Sequence, residues 1–124
     1  MTTDPLFDLS GKVAVVTGGL GQLGVEYTLS LVNRGAQVAI FDPGDPERVD
    51  SAAFQDGVAV GTVRVFNVDI TSRESVETAT ASVSDAWGVP HILVNNAALD
   101  SPPGAPPEEV GPFETYPEAS FTRI

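Results

Sequence analysis

Residues 12–24 read Lys-Val-Ala-Val-Val-Thr-Gly-Gly-Leu-Gly-Gln-Leu-Gly. The apolar run Val13 to Val16 breaks into a turn holding Gly18, Gly19, Gly21 and Gly24, and a helical pattern follows at once. Gly19, Gly21 and Gly24 spell G-x-G-x-x-G after a strand and at a helix start, the setting in which that spacing marks a dinucleotide turn. A tight turn needs a residue that tolerates positive φ. A pyrophosphate approaches the backbone only where no Cβ intervenes, and the helix start offers it N–H groups backed by the positive end of the helix dipole. The alternative is a glycine-rich strand-to-helix turn that binds nothing.

The chain on either side keeps the same alternation. Lys12 to Thr17 is a short continuous apolar strand of the kind buried in parallel sheets. Gln22 to Arg34 is a helix with Leu20, Leu23, Tyr27 and Leu31 at helical steps, and Gly35 is its stop. Gln37 to Phe41 is a second strand ending at Asp42, before the breakers Pro43, Gly44 and Pro46. Asp45 to Gly61 is ambiguous: Val49, Ala52 and Ala53 fit one helical turn, while Gly57 and Gly61 argue for loop. Thr62 to Val68 is a third strand. Thr71 and Glu74 form a capping box ahead of Val76, Ala79, Val83 and Trp87, and Gly88 and Pro90 end that helix. His91 to Asn95 is a fourth strand. Asp100 to Pro117 is a Pro-rich loop; Pro117 suits the first position of a last helix, with Phe121 and Ile124 on its apolar face.

This βα series predicts an α/β fold, a Rossmann-like doubly wound parallel sheet of four strands in the order 3-2-1-4. The first strand lies centrally and the fourth beside it, at the switch point where ligands bind. Asp42 follows Gly19 by about twenty residues, the distance at which an acidic side chain meets the adenosine ribose. A carboxylate there repels the extra phosphate of NADP, so NAD is favoured over NADP. On residues alone, Asp42 also fits as the start of the turn before Pro43, Asp69 as a pre-helix turn residue, and Asn95 to Ala98 as a loop start. His91, the lone histidine, reads as structural rather than as a base.

The 124 residues make one domain at most. Six Lys and Arg against seventeen Asp and Glu give a net charge of −11, which leaves no basic patch for nucleic acid. No run approaches membrane-spanning length, and residues 1–9 do not form a signal peptide. The absence of cysteine excludes disulfides and thiolate chemistry and fits a cytoplasmic location. No Cys, His and Asp grouping has metal-ligand spacing.

Four landmarks in this order resemble the N-terminal half of a short-chain dehydrogenase/reductase, from Phe7 to Ile124. They are the turn Thr17 to Gly24, the acidic strand end Asp42, the pair Asp69-Ile70, and Asn95-Asn96-Ala97-Ala98 in place of N-N-A-G. The resemblance implies cofactor binding by Thr17, Gly18, Gly19, Gly21, Gln22, Leu23, Gly24, Asp42, Asp69, Ile70, Asn96, Ala97 and Ala98. Asp69 and Ile70 would form the adenine pocket. Single-domain members carry T-G-x-x-x-G-x-G. Here Gln22 stands at the middle glycine and Gly21 precedes it, which also fits the T-G-x-x-G-x-x-G of epimerase-type members. The reaction implied is hydride transfer between nicotinamide and an alcohol or ketone, performed in the family by a later Ser, a Tyr-x-x-x-Lys pair and an Asn. Neither Tyr27 nor Tyr116 has a Lys four residues on, so no catalytic residue is assigned here. The competing readings are a nucleotide-sugar epimerase or dehydratase fragment and a stand-alone nucleotide-binding module. An unpaired fourth-strand edge would favour self-association, strand exchange or a complementing chain.

Overall fold

The computed structural model describes residues 4–99 and 104–123. Asp100 to Pro103 of the Pro-rich loop and Ile124 of the last helix lie outside these described residues, as do residues 1–3. Four strands, β1 (Val13–Thr17), β2 (Gln37–Phe41), β3 (Val63–Phe66) and β4 (Ile92–Val94), form one sheet in the order β3-β2-β1-β4. Every pairing is parallel, with Val15 facing Ala39 on one side and Leu93 on the other. The expected order and the central place of β1 are both present.

Alternation along the strands divides the core. Ala14, Val16, Val38, Ile40 and Val63 point to one face, where they meet Val25 of α1 (Gln22–Asn33) and Phe54 of α2 (Ala52–Val60). Val13, Val15, Ala39 and Phe41 point to the other, against Ala79 and Val83 of α3 (Arg73–Trp87). Phe54 is wholly buried, a contribution of roughly 1.5–3 kcal/mol. Helices on both faces explain why β1 and β2 read as continuous apolar runs.

Several expectations shift. Asp45 to Gly61 resolves into a short 3-10 turn at Pro46–Arg48 and then α2, whose N-cap Ser51 accepts the Phe54 N–H. The strand expected over Thr62 to Val68 is Val63–Phe66, and that expected over His91 to Asn95 is Ile92–Val94. The capping box at Thr71 and Glu74 is not formed. Ser72 caps α3 by accepting from Ser75 N, and Thr71 turns back to Asp69. The stripe expected on α1 is half right: Leu20 and Leu31 pack on the core, while Leu23 and Tyr27 are exposed and Gly24, Val25 and Thr28 are buried instead. After β4, residues 104–123 form 3-10 turns at Pro107–Glu109 and Phe113–Thr115 and a short α4 (Glu118–Arg123). Pro117 stands just before α4, its carbonyl accepting from Phe121 N.

His91 has the structural role expected of it. Its Nδ1 accepts the N–H of buried Val13 at 3.0 Å, and the His91 backbone N–H donates to Val13 O at 2.8 Å. Replacing His91 by alanine strands the Val13 N–H and is expected to cost about 1 kcal/mol. A lowered denaturant midpoint at unchanged slope measures it. His91→Asn, which restores an acceptor, is expected to recover part of the loss.

Among the described residues β4 pairs on one side only, and Leu93 is 61% exposed. A groove of about 510 Å³ runs beside it, floored by Val15, Phe41 and Ile92. No helix among the described residues is long and apolar enough to cross a membrane.

Candidate functional site

The carboxyl ends of β1, β2 and β4 and the segment after β3 enclose a cleft of about 630 Å³. Its floor is the glycine turn. Gly18 adopts φ +62°, which lets its N–H donate to Phe41 O at 2.9 Å. A Cβ on Gly18 would stand 2.8 Å from Ala97 Cα, so the turn lies directly on the end of β4. Gly24 is buried at the start of α1, where a Cβ would strike Gly18 O and Gly19 Cα. Gly21, by contrast, is exposed, and its Cβ would make only an ordinary contact at 3.4 Å with Gly18 O. The fold itself does not require glycine at position 21.

Side chains fix this turn from below. Thr17 Oγ1 accepts the N–H groups of Asn96 at 3.1 Å and Ala97 at 3.0 Å. Asn96 Nδ2 returns two bonds, to Thr17 O and Gly18 O. The hydroxyl and the amide thus tie the ends of β1 and β4 together. At the rim, Asp42 Oδ1 accepts from Gly44 N at 2.8 Å and Oδ2 from Leu20 N at 3.2 Å, which aims its carboxylate across the mouth of the glycine turn.

Asp69 occupies the opposite wall with Ile70. Its Oδ1 accepts both the hydroxyl (2.6 Å) and the N–H (2.9 Å) of Thr71. The Thr71 hydroxyl first, and its amide second, hold the Asp69 carboxyl below the usual carboxylate range. A depressed folded value means that this turn is favoured above the usual carboxylate range. The benefit is lost as pH falls through the lowered value. The expected result is an Asp69 titration displaced to acid relative to the unfolded chain, and returned toward normal in Thr71→Val. NMR of the side-chain carboxyl carbon measures both.

Of the residues expected to bind cofactor, Gly18, Gly21, Gln22, Leu23, Asp42, Asp69, Ile70, Asn96, Ala97 and Ala98 line the cleft. Thr17, Gly19 and Gly24 do not: the Thr17 hydroxyl is engaged by the Asn96 and Ala97 amides, Gly19 lies against Ile40, and Gly24 lies against the backbone of Gly18 and Gly19. Phe41, Pro43, Val68, Thr71 and Leu99 also line it, although no cofactor motif in the sequence marks them. The one signal they carry is adjacency: each neighbours a landmark residue along the chain or at a strand end. Among the described residues no Lys or Arg lines the cleft. The N-cap of α1, Gly21, supplies no side-chain acceptor, whereas Ser51 and Ser72 cap α2 and α3. The α1 first turn, whose Gly21, Gln22 and Leu23 line the cleft, therefore has no side-chain cap on its amides, and a diphosphate suits such donors. Among the described residues no group of three His, Cys, Asp or Glu could hold a metal.

A parallel sheet in this order, with a bare turn and a facing carboxylate at its switch point, defines a dinucleotide-type doubly wound domain. The family profile described as short chain dehydrogenase matches residues 12–124, and the chain belongs to that family. A sorbitol dehydrogenase of Cereibacter sphaeroides is 36% identical over 91 residues, covering 73% of this chain and 34% of its own length. A ribulose-forming D-arabinitol 2-dehydrogenase of Scheffersomyces stipitis is 30% identical, covering 97% of this chain and 45% of its own. The solved structure of an NAD+-bound xylitol dehydrogenase superposes with a TM-score of 0.73 at 28% identity, over 94% of this chain and 42% of that one. The chain thus spans less than half the length of each of these relatives.

Proposed function

We propose that this chain is the cofactor-binding half of an NAD-dependent oxidoreductase that moves hydride between nicotinamide and a secondary alcohol or its ketone. The observation that carries this reading is the pairing of the bare turn at Gly18 to Gly24 with the Asp42 carboxylate across one cleft, in a chain of this family. The α1 amides and Gly21 would receive the diphosphate, Asp42 the adenosine ribose, Asp69 and Ile70 the adenine, and Asn96 to Ala98 the nicotinamide end. The nicotinamide, when bound, supplies the redox chemistry; the protein supplies position and electrostatics. Asp42 favours NAD over NADP because a second negative charge at the ribose would meet its carboxylate. The named relatives act on polyols, and a polyol is the substrate class we favour.

The catalytic Ser, Tyr and Lys of the family have no counterpart among these residues, and we assign them to further polypeptide. The same reading takes the open β4 edge with Leu93 as a surface that other chain must cover. The family match and the dehydrogenase names favour this over an epimerase or dehydratase. Calorimetry of the whole protein is expected to show NAD+ binding more tightly than NADP+, and polyol oxidation is expected to release NADH. The 124-residue chain by itself is expected to show no turnover. Equal affinity for both dinucleotides, or activity from the isolated chain, overturns the corresponding part of the reading.

A further inference from the structure

Residues 18–24 contain a single polar side chain, Gln22, at the position where single-domain members keep glycine. Gln22 is the first residue of α1, is exposed, and lines the cleft beside Gly18 and Gly21. Its carboxamide has no hydrogen-bond partner among the described residues. Every other source of a side-chain donor in the turn is closed. Gly18 and Gly24 are packed against backbone, Leu20 and Leu23 are apolar, and the Thr17 hydroxyl is engaged by the Asn96 and Ala97 amides.

The electrostatics of the cleft make that donor matter. A diphosphate brings negative charge into a site that already carries the Asp42 and Asp69 carboxylates and, among the described residues, is lined by no Lys or Arg. The α1 amides alone would have to offset it. We propose that the Gln22 carboxamide is a diphosphate-binding side chain, donating from Nε2 to a phosphate oxygen in a seat built without a cation. Gly21 leaves the backbone approach open on the N-terminal side, so position 22 is released from the need to be bare. The proposal rests on the dinucleotide reading of the cleft and adds to it a side-chain contact that the family's glycine cannot make.

The test uses the whole protein with Gln22→Leu and Gln22→Glu. Calorimetry with NAD+, ADP-ribose and adenosine is paired with thermal melting in the absence of ligand. Removing a hydrogen bond to a charged group is expected to weaken NAD+ and ADP-ribose about tenfold in Gln22→Leu, with adenosine unchanged. Gln22→Glu keeps the shape and adds a negative charge. It is expected to weaken the two diphosphates further while raising the ligand-free melting temperature, because a carboxylate suits the first turn of a helix. Unchanged NAD+ affinity in Gln22→Leu overturns the proposal while leaving the cofactor reading intact. An equal loss for adenosine overturns it as well. Failure of the unsubstituted protein to bind NAD+ would remove the cofactor reading and the proposal together.

Discussion

Gly24→Ala is expected to destabilise the protein by about 3 kcal/mol, the upper part of the range for overpacking a site that cannot relax. The added methyl would strike the carbonyl oxygen of Gly18 and lie 2.6 Å from Gly19 Cα. Both are backbone atoms of the turn. Neither can rotate away as a side chain end would, so relief requires α1 to lift from the sheet or the turn to open. Lifting α1 exposes Val25 and Thr28, now 8% and 0% exposed. Opening the turn breaks the Gly18 N–H bond to Phe41 O and moves Gly18 off the end of β4. Either route also spreads the α1 amides that the cofactor would use, so dinucleotide affinity is expected to fall together with stability. Gly21→Ser provides the contrast. Position 21 has φ −75° and an open Cβ direction, and serine supplies the side-chain cap that α1 lacks. Stability is expected to hold or rise slightly while dinucleotide affinity falls. Chemical denaturation and calorimetry on the two variants read both quantities. Equal stability for Gly24→Ala and the unsubstituted protein would show that the turn is not wedged as its geometry indicates.

The strands, their order and the glycine turn were legible because each follows from short-range rules. Val13 to Val16 is a continuous apolar run, and a βα series leaves few topologies open. What was not legible depends on contacts between distant residues. Gly57 argues against a helix by propensity, yet it lies buried in α2, where a Cβ would come 3.0 Å from Val63 Cγ2; close packing of α2 on β3 outweighs the propensity loss. Leu23 and Tyr27 fit helical spacing but face outward, because Gly24 and Thr28 take the side of α1 nearest the sheet. Thr71 and Glu74 match a capping box, but the Asp69 carboxylate captures the Thr71 hydroxyl and passes the cap to Ser72. Within the site, landmark residues could be named from spacing. The tie between Thr17 Oγ1 and the Asn96 and Ala97 amides joins positions about eighty apart in sequence, and no local pattern announces it. The Leu20 amide that holds Asp42 is likewise twenty-two residues from its partner.

Asp42→Asn is expected to move the two cofactor affinities in opposite directions. The carboxylate accepts two backbone amides, from Leu20 and Gly44, and it remains half-buried at the rim. Asparagine keeps one acceptor oxygen and nearly the same shape, so the turn before Pro43 is expected to survive with a small stability loss. The charge does not survive. A hydrogen bond from a ribose hydroxyl to a carboxylate is stronger than one to a neutral amide by roughly 1–1.5 kcal/mol, so NAD+ affinity is expected to fall about tenfold. For NADP+ the largest effect is repulsion between the 2′-phosphate and the carboxylate. Unit charges about 4 Å apart interact by about 4 kcal/mol at an effective dielectric of roughly 20, before screening by salt. Screening by salt and the weaker bond to the remaining ribose hydroxyl offset much of this, so the net gain for NADP+ is expected to be about tenfold, which shifts the ratio of the two constants about a hundredfold. The gain for NADP+ is also expected to shrink at high salt, since the repulsion it relieves is already screened there. If Asp42 merely shaped the turn before Pro43, loss of its charge would weaken both cofactors alike, and the ratio would not change. Calorimetry of the whole protein with NAD+ and NADP+ at low and high salt separates these outcomes. A constant ratio would strip Asp42 of its role in cofactor choice while leaving the family assignment untouched.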